Sequence, residues 1–168
     1  MKLSEGVEWG LHCVCLLAEY PEGAALPTKA LAEYHGLSET YLSKHLQALT
    51  SYGILESIPG PRGSYRLLRL AEEITLLEIV EAIDGREPLF RCTEIRKLGP
   101  LALPSERYRL PCALHIAMTR ADKAWRDELR TQTIAEIVKQ YLQNVEPQQQ
   151  QRSAQWMAER VRLSSHNR

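Results

Sequence analysis

Apolar positions at the start of the chain recur with a helical period. Leu3, Val7, Leu11, Val14 and Ala18 fall on one side of residues 3–19, which predicts an amphipathic helix ended by Pro21 and Gly23. The following segment, TKALAEYHGLSETYLSKHLQALTSYG, reads as two helices about a tight turn. Thr28 is placed to cap the first helix. Gly36 stands where its C-terminus calls for a left-handed residue, and Ser38 is placed to cap the second. Leu42, Leu46 and Leu49 give the second helix a buried stripe, and Gly53 closes it. Residues 54–58 and 64–68 are short extended runs about the turn Pro59-Gly60-Pro61-Arg62-Gly63, so a hairpin follows the helix-turn-helix.

Helical periodicity then returns. Thr75 and Glu78 form a capping box for a helix whose apolar face is Ile79, Val80 and Ile83, with Asp84-Gly85 at its end. Residues 85–111 hold four prolines and no clear period; a loop of this length is usually functional or disordered. Pro111 introduces a helix of about eighteen residues with Leu114, Ala117, Ala121, Ala124 and Trp125 along one side, small residues that suit close helix–helix contact. Thr133 and Glu136 form a second capping box for a shorter helix. Pro147 and the glutamines of 148–151 read as a linker, and 153–163 as an amphipathic tail helix. The fold class expected is mainly α with a small β-hairpin wing.

Composition narrows the function. The chain has 168 residues, 44% of them apolar and 25% charged, which fits one ordinary globular domain and excludes a disordered or fibrous chain. Lys+Arg and Asp+Glu are 21 each, so overall charge names no partner, yet residues 71–90 carry six acids and one base while 91–168 carry fourteen bases and eight acids. No apolar run approaches the ~18–20 residues needed to span a bilayer. Glu5, Glu8 and His12 interrupt the N-terminal apolar stretch, unlike a secretory signal. A cytoplasmic location is expected, with no membrane partner. Cys13, Cys15, Cys92 and Cys112 are then thiols, buried apolar groups or metal ligands rather than structural disulfides. There is no glycine-rich phosphate loop, no serine nucleophile motif and no His-x-x-x-His pair, so no enzyme is expected.

A helix-turn-helix sets the N-terminal residues of its second helix toward the major groove. Those residues are Ser38, Glu39, Thr40, Tyr41, Ser43, Lys44 and Gln47, polar groups suited to phosphates and base edges. Thr28 and Lys29 open the preceding helix and join the expected double-stranded DNA contacts. So do Arg62, Gly63 and Ser64 at the wing, where Arg62 can enter a minor groove. The alternative is a plain helical hairpin with a solvated face; the basic, glycine-flanked wing favours DNA. His35 and His45 read as surface or packing residues.

The stretches MKLSEGVEWGLHC, LSETYLSKHLQALTSYGILESIPGPRGSYRL and EEITLLEIVEAIDG resemble the IscR/NsrR-type winged-helix transcription regulators, over roughly residues 1–142. The wing has Gly63-Ser64 where that family usually has a glycine pair. The resemblance implies a homodimer built around the long C-terminal helix and bound to a palindrome-like operator. It divides the chain into a DNA-binding domain over 1–84, a cluster-binding loop over 85–111, a dimerisation helix and short following helix over 112–146, and a polar tail over 147–168. Many members hold an iron–sulfur cluster through three closely spaced cysteines; this loop has only Cys92 and Cys112.

The stretches RCTEIRKLGPLALPSERYRLPCALHIAM and EWGLHC are similar instead to the RsrR-like redox regulators. That likeness implies a 2Fe-2S cluster (2Fe–2S) held by Cys92 and Cys112 of one subunit and by Glu8 and His12 from the first helix of the other. It also implies a repressor that binds most tightly when oxidised. The residue chemistry agrees. Glu8 and His12, four apart, share a helix face, with Cys15 one turn further along. Cys112 sits at a helix N-terminus that favours thiolate, and Arg91 adds positive charge nearby. Zinc on the same four ligands, a thiol or disulfide switch, and a regulator without metal remain open alternatives. Cys13 is read as core and Cys15 as packing or a spare ligand.

Overall fold

The computed structural model describes residues 2–60 and 63–163. Helix α1 (Glu5–Ala18) buries Val7, Cys13, Val14, Leu16 and Leu17. Two glycines let other helices close on it. A Cβ at Gly6 would lie 2.2 Å from the His45 ring, and one at Gly10 would lie 2.4 Å from Ile83 Cδ1. The expected stripe is shifted: Leu3 precedes the helix and is exposed, and Leu11 is half-buried. The helix begins two residues later than its periodicity suggested because Ser4 is extended, its amide donating to Asp84 Oδ2 at 2.9 Å.

Strand β1 (Ala24–Pro27) leads into α2 (Thr28–His35) and α3 (Glu39–Ser51). Gly36, at φ 66°, ends α2 as expected. Thr28 does not cap it. Pro27 holds the N-cap position, and Thr28 is buried with its amide donating to the Gly63 carbonyl at 3.3 Å. Ser38 takes the N-cap position of α3 but makes no capping hydrogen bond through its side chain. Strands β2 (Leu55–Ile58) and β3 (Ser64–Leu67) form the wing, pairing antiparallel from Leu55↔Leu67 to Ile58↔Ser64. β1 joins the other edge of β3, and β4 (Arg162–Leu163) joins β1, giving the order β2-β3-β1-β4.

Helix α4 (Leu76–Asp84) starts at the expected capping box of Thr75 and Glu78, and α6 (Ile134–Asn144) at that of Thr133 and Glu136. The two starts are stitched together: Leu76 N–H donates to Gln132 O at 3.0 Å and Ile134 N–H to Ile74 O at 2.9 Å. Between them, residues 85–111 hold only two short 3₁₀ turns, Ile95–Lys97 and Ser105–Arg107. Helix α5 (Ala113–Thr131) buries none of its 19 residues.

The expected linker at 147–151 is a helix, α7 (Pro147–Ala158). Proline in a first turn has its φ preset for helix, and the glutamines continue it. Burial at its far end holds it in place. Met157 is fully buried, Trp156 packs edge-on to Tyr34 at 5.3 Å, and Ser153 Oγ lies 2.6 Å from Tyr34 Oη. The core thus joins Leu31, Leu42, Leu46 and Leu49 of the helix-turn-helix to Ile79, Ile134 and Met157. Mainly α with a β wing is the architecture found.

Candidate metal centre and nucleic-acid interface

The loop over 85–111 returns so that both its cysteines meet. The sulfurs of Cys92 and Cys112 and a carboxylate oxygen of Glu94 lie within 4.8 Å of one another, all three residues half-buried. Glu94 has φ 52°, the one non-glycine residue with positive φ among the described residues. Such a conformation is strained for a side chain with a Cβ and persists only where the surroundings hold it.

Arg96 does the holding. It donates to Glu94 Oε2 at 2.6 Å and to the Leu110 carbonyl at 3.4 Å, which ties the two ends of the loop together. Its guanidinium also lies over the Tyr108 ring, 5.3 Å from the centroid. Tyr108 Oη donates in turn to Arg96 O at 2.7 Å and accepts from Leu103 N–H at 3.0 Å.

Cys92 Sγ donates to Glu94 Oε1 at 3.6 Å. The Arg96 hydrogen bond holds the Glu94 carboxyl below its ordinary range. Cys112 is the N-cap residue of α5, where the backbone amides of His115 and Leu114, aided by Arg96, lower its thiol pKa. Two sulfurs, one readily thiolate, beside a carboxylate are a donor set that fits iron–sulfur or zinc chemistry. Sequence reading missed Glu94. Its only signal was the Cys92-x-Glu94 spacing, and nothing in a loop without period shows that the chain turns there.

Glu8 and His12 lie on the exposed side of α1 and do not join this group within one chain. The His12 ring lies 5.6 Å from that of His35. Burial raises the Cys13 thiol to about 12 and, with help from the Glu19 charge, the Cys15 thiol to about 11. Cys13 is core, as expected, and Cys15 packs against that core.

On α3, Ser38, Glu39, Thr40, Tyr41, Lys44 and Gln47 are exposed together. Tyr41 is 60% exposed, with Lys44 Nζ 5.5 Å above its ring. Ser43 is half-buried and its hydroxyl donates to Glu39 O at 2.8 Å. Lys29 is exposed and pairs with Glu33 at 3.7 Å. Two expected DNA contacts face inward instead: Thr28 is 7% exposed and Ser64 only 3%. Both lie where β1 and the wing strand β3 meet, and the strand alternation turns Ser64 toward the core side. Gly63 is exposed at φ 48°, and Arg62 lies outside the described residues.

The sequence model of the Rrf2 family, described as an iron-dependent transcriptional regulator, matches residues 3–140. The chain belongs to the Rrf2 family. It is 25% identical over 138 residues to YwgB of Bacillus subtilis, described as a helix-turn-helix transcriptional regulator, covering 82% of this chain and 85% of that one. Among solved structures, oxidised CymR of Staphylococcus aureus is 26% identical with a TM-score of 0.61, covering 82% of this chain and 96% of that one. IscR of T. potens has the same fold at 21% identity and a TM-score of 0.61, over 89% of this chain and 96% of that one. The chain is thus a transcriptional regulator of the Rrf2 family and not an enzyme. Among the described residues, no helix is long and apolar enough to cross a membrane.

Proposed function

We propose that the chain is a homodimeric DNA-binding repressor whose operator affinity follows the redox state of a 2Fe–2S cluster. In this reading Cys92 and Cys112 of one subunit and Glu8 and His12 of the other hold the cluster. The observation that carries it is the convergence of Cys92 and Cys112, from opposite ends of a twenty-residue separation, to within 4.8 Å beside Glu94. When bound, such a cluster supplies a one-electron change of charge at this loop. The chain's own residues do the rest. The α5 amides favour the Cys112 thiolate, Glu94 accepts from Cys92, and Arg96 fixes Glu94 and the loop ends.

The dimer is supported by surface that one chain leaves uncovered. Leu114, Ile116 and Met118 of α5 are 69%, 46% and 41% exposed, and Leu98, Leu101 and Leu110 of the loop are 76%, 92% and 78% exposed. A contiguous apolar surface of this kind marks an interface. Ser38, Thr40, Tyr41 and Lys44 face the operator, flanked by Lys29, Ser43, Gly63 and Arg62. The Thr28 and Ser64 side chains support the wing from beneath.

A second reading is a thiol–disulfide switch between Cys92 and Cys112, favoured by the likeness to a CymR solved in an oxidised form. One preparation separates the two. Protein purified without air should be coloured and contain iron and sulfide, and Cys92→Ala should lose both. A colourless preparation with zinc, or one whose Cys92 and Cys112 peptides become linked on oxidation, rejects the cluster. Mixed dimers of a Cys92→Ala/Cys112→Ala chain with a Glu8→Ala/His12→Ala chain should regain one site that neither parent has. Operator affinity equal with the cluster oxidised and reduced rejects redox switching.

A further inference from the structure

Behind the helix-turn-helix lies a cavity of about 470 Å³, enclosed by α1, α2, α6 and the start of α7. One wall is apolar, with Leu16, Leu76 and Val138; the other presents Glu19, Tyr34 and Tyr141. Among the described residues no lysine or arginine lines it. Glu19 is half-buried, and its carboxylate has no ion pair or hydrogen bond among the described residues. A carboxylate in that position lacks the compensation that buried charges ordinarily receive. The Glu19 charge reaches Tyr141 and also Tyr20 beside the cavity, raising both phenols in addition to the effect of burial. His35 Nε2 is buried without a partner in the same wall. Gln149 of α7 closes one side, and α7 lies beyond the residues 3–140 that match the family.

We infer that this cavity binds a small organic cation with an apolar body, its charge set against Glu19 and the faces of Tyr34 and Tyr141. Aromatic faces attract ammonium groups, most strongly when water is excluded. The volume falls within the ~300–1,000 Å³ usual for ligand pockets. An anion would meet the Glu19 charge with no base to offset it, and a neutral molecule would leave the carboxylate unpaired. The site is separate from the Cys92–Cys112 loop, with His12 at its rim, and the inference requires neither cluster nor operator.

The probe is phenyltrimethylammonium, titrated calorimetrically into the full chain, with 2-phenyl-2-propanol and benzenesulfonate as neutral and anionic counterparts of similar size. The cation should bind once per chain, at least about tenfold more tightly than the alcohol, and the sulfonate should not bind. Glu19→Gln keeps the side chain's size and removes its charge; it should bring the cation's affinity down to that of the alcohol. Ile137→Trp, which fills the cavity from α6, should abolish binding while circular dichroism shows the helices intact. The inference is overturned if the folded wild type shows no saturable binding up to about 10 mM. It is also overturned if cation and alcohol bind equally, or if Glu19→Gln binds the cation as the wild type does.

Discussion

Replacing Arg126 by alanine tests how the long helix α5 is held against the winged-helix body. The Arg126 side chain is only 16% exposed, and it donates to Glu81 Oε1 of α4 at 3.0 Å, to Asp122 Oδ1 at 3.1 Å and to the carbonyls of Glu87 and Arg86 at 3.0 and 3.3 Å. Removing one partner of a fully buried pair costs about 3–5 kcal/mol, because the other charge is stranded. Glu81 is not stranded here. It keeps the Tyr52 hydroxyl at 2.6 Å and Arg86 Nε at 2.9 Å. What remains is the loss of charged hydrogen bonds, at about 1.5–3 kcal/mol, plus the packing of the arginine stem. The expected cost of Arg126→Ala is therefore about 2–3 kcal/mol.

Lys123 of the same helix is the comparator. It is 73% exposed and pairs with Asp127, so Lys123→Ala should cost under about 0.5 kcal/mol. Urea unfolding at one fixed protein concentration reads both, since a dimer's stability depends on concentration. A double-mutant cycle with Glu81→Gln should return a coupling of about 1–2 kcal/mol. If Arg126→Ala unfolds at the same urea concentration as Lys123→Ala, α5 is not anchored by this arginine and the reasoning fails.

Lys44→Ala should weaken operator binding and reduce the slope of log affinity against log salt by about 0.9, one phosphate contact, without moving the urea midpoint; unchanged affinity would remove α3 from the DNA interface. Glu19→Gln should stabilise the chain at neutral pH and not in acid. Burial raises the Glu19 carboxyl from 4.5 to about 6, so the folded form holds its proton longer than the unfolded form does. Stability therefore falls as pH rises from about 4.5 to about 6, and the penalty is fully present above that range. Its full value of about 2 kcal/mol is trimmed by partial exposure to about 1 kcal/mol, which glutamine should return at pH 7.5 but not at pH 4. Equal gains at both pH values would count against an ionised Glu19.

The elements that were legible in the sequence are those whose signal is local. The two capping boxes are each complete within four residues, and Gly36 marks a backbone position that its neighbours cannot easily adopt. What depended on distant partners was not legible. The helix over Pro147–Ala158 is polar by composition, and only Met157 and Trp156, docking on the core and on Tyr34, give it a reason to be ordered. Ser64 reads as a wing-tip contact until its register opposite Ile58 turns it inward. Glu94 became part of the site through a positive φ and an arginine two residues on, features of a loop that carries no period. Cys92 and Cys112 could be named from a resemblance, but their approach to within 4.8 Å is a property of the folded loop.

In the proposed reading, the helix that supplies Glu8 and His12 to the partner's loop also packs against the DNA-facing helix. Gly6, two residues before Glu8, leaves no room for even a Cβ against the His45 ring of α3, and Gly10, two residues before His12, leaves none against Ile83 of α4. Close packing without slack transmits small displacements because a packed interface does not deform gradually. A change in the hold on Glu8 or His12 would therefore move α1 together with α3, rather than be absorbed between them. The same geometry explains why the donors would be divided between subunits. Ligands on one chain's loop would report only that loop's state. Ligands on the partner's α1 make cluster, dimer and recognition-helix position a single linked equilibrium, and a dimer reads paired half-sites only when its two recognition helices keep their separation.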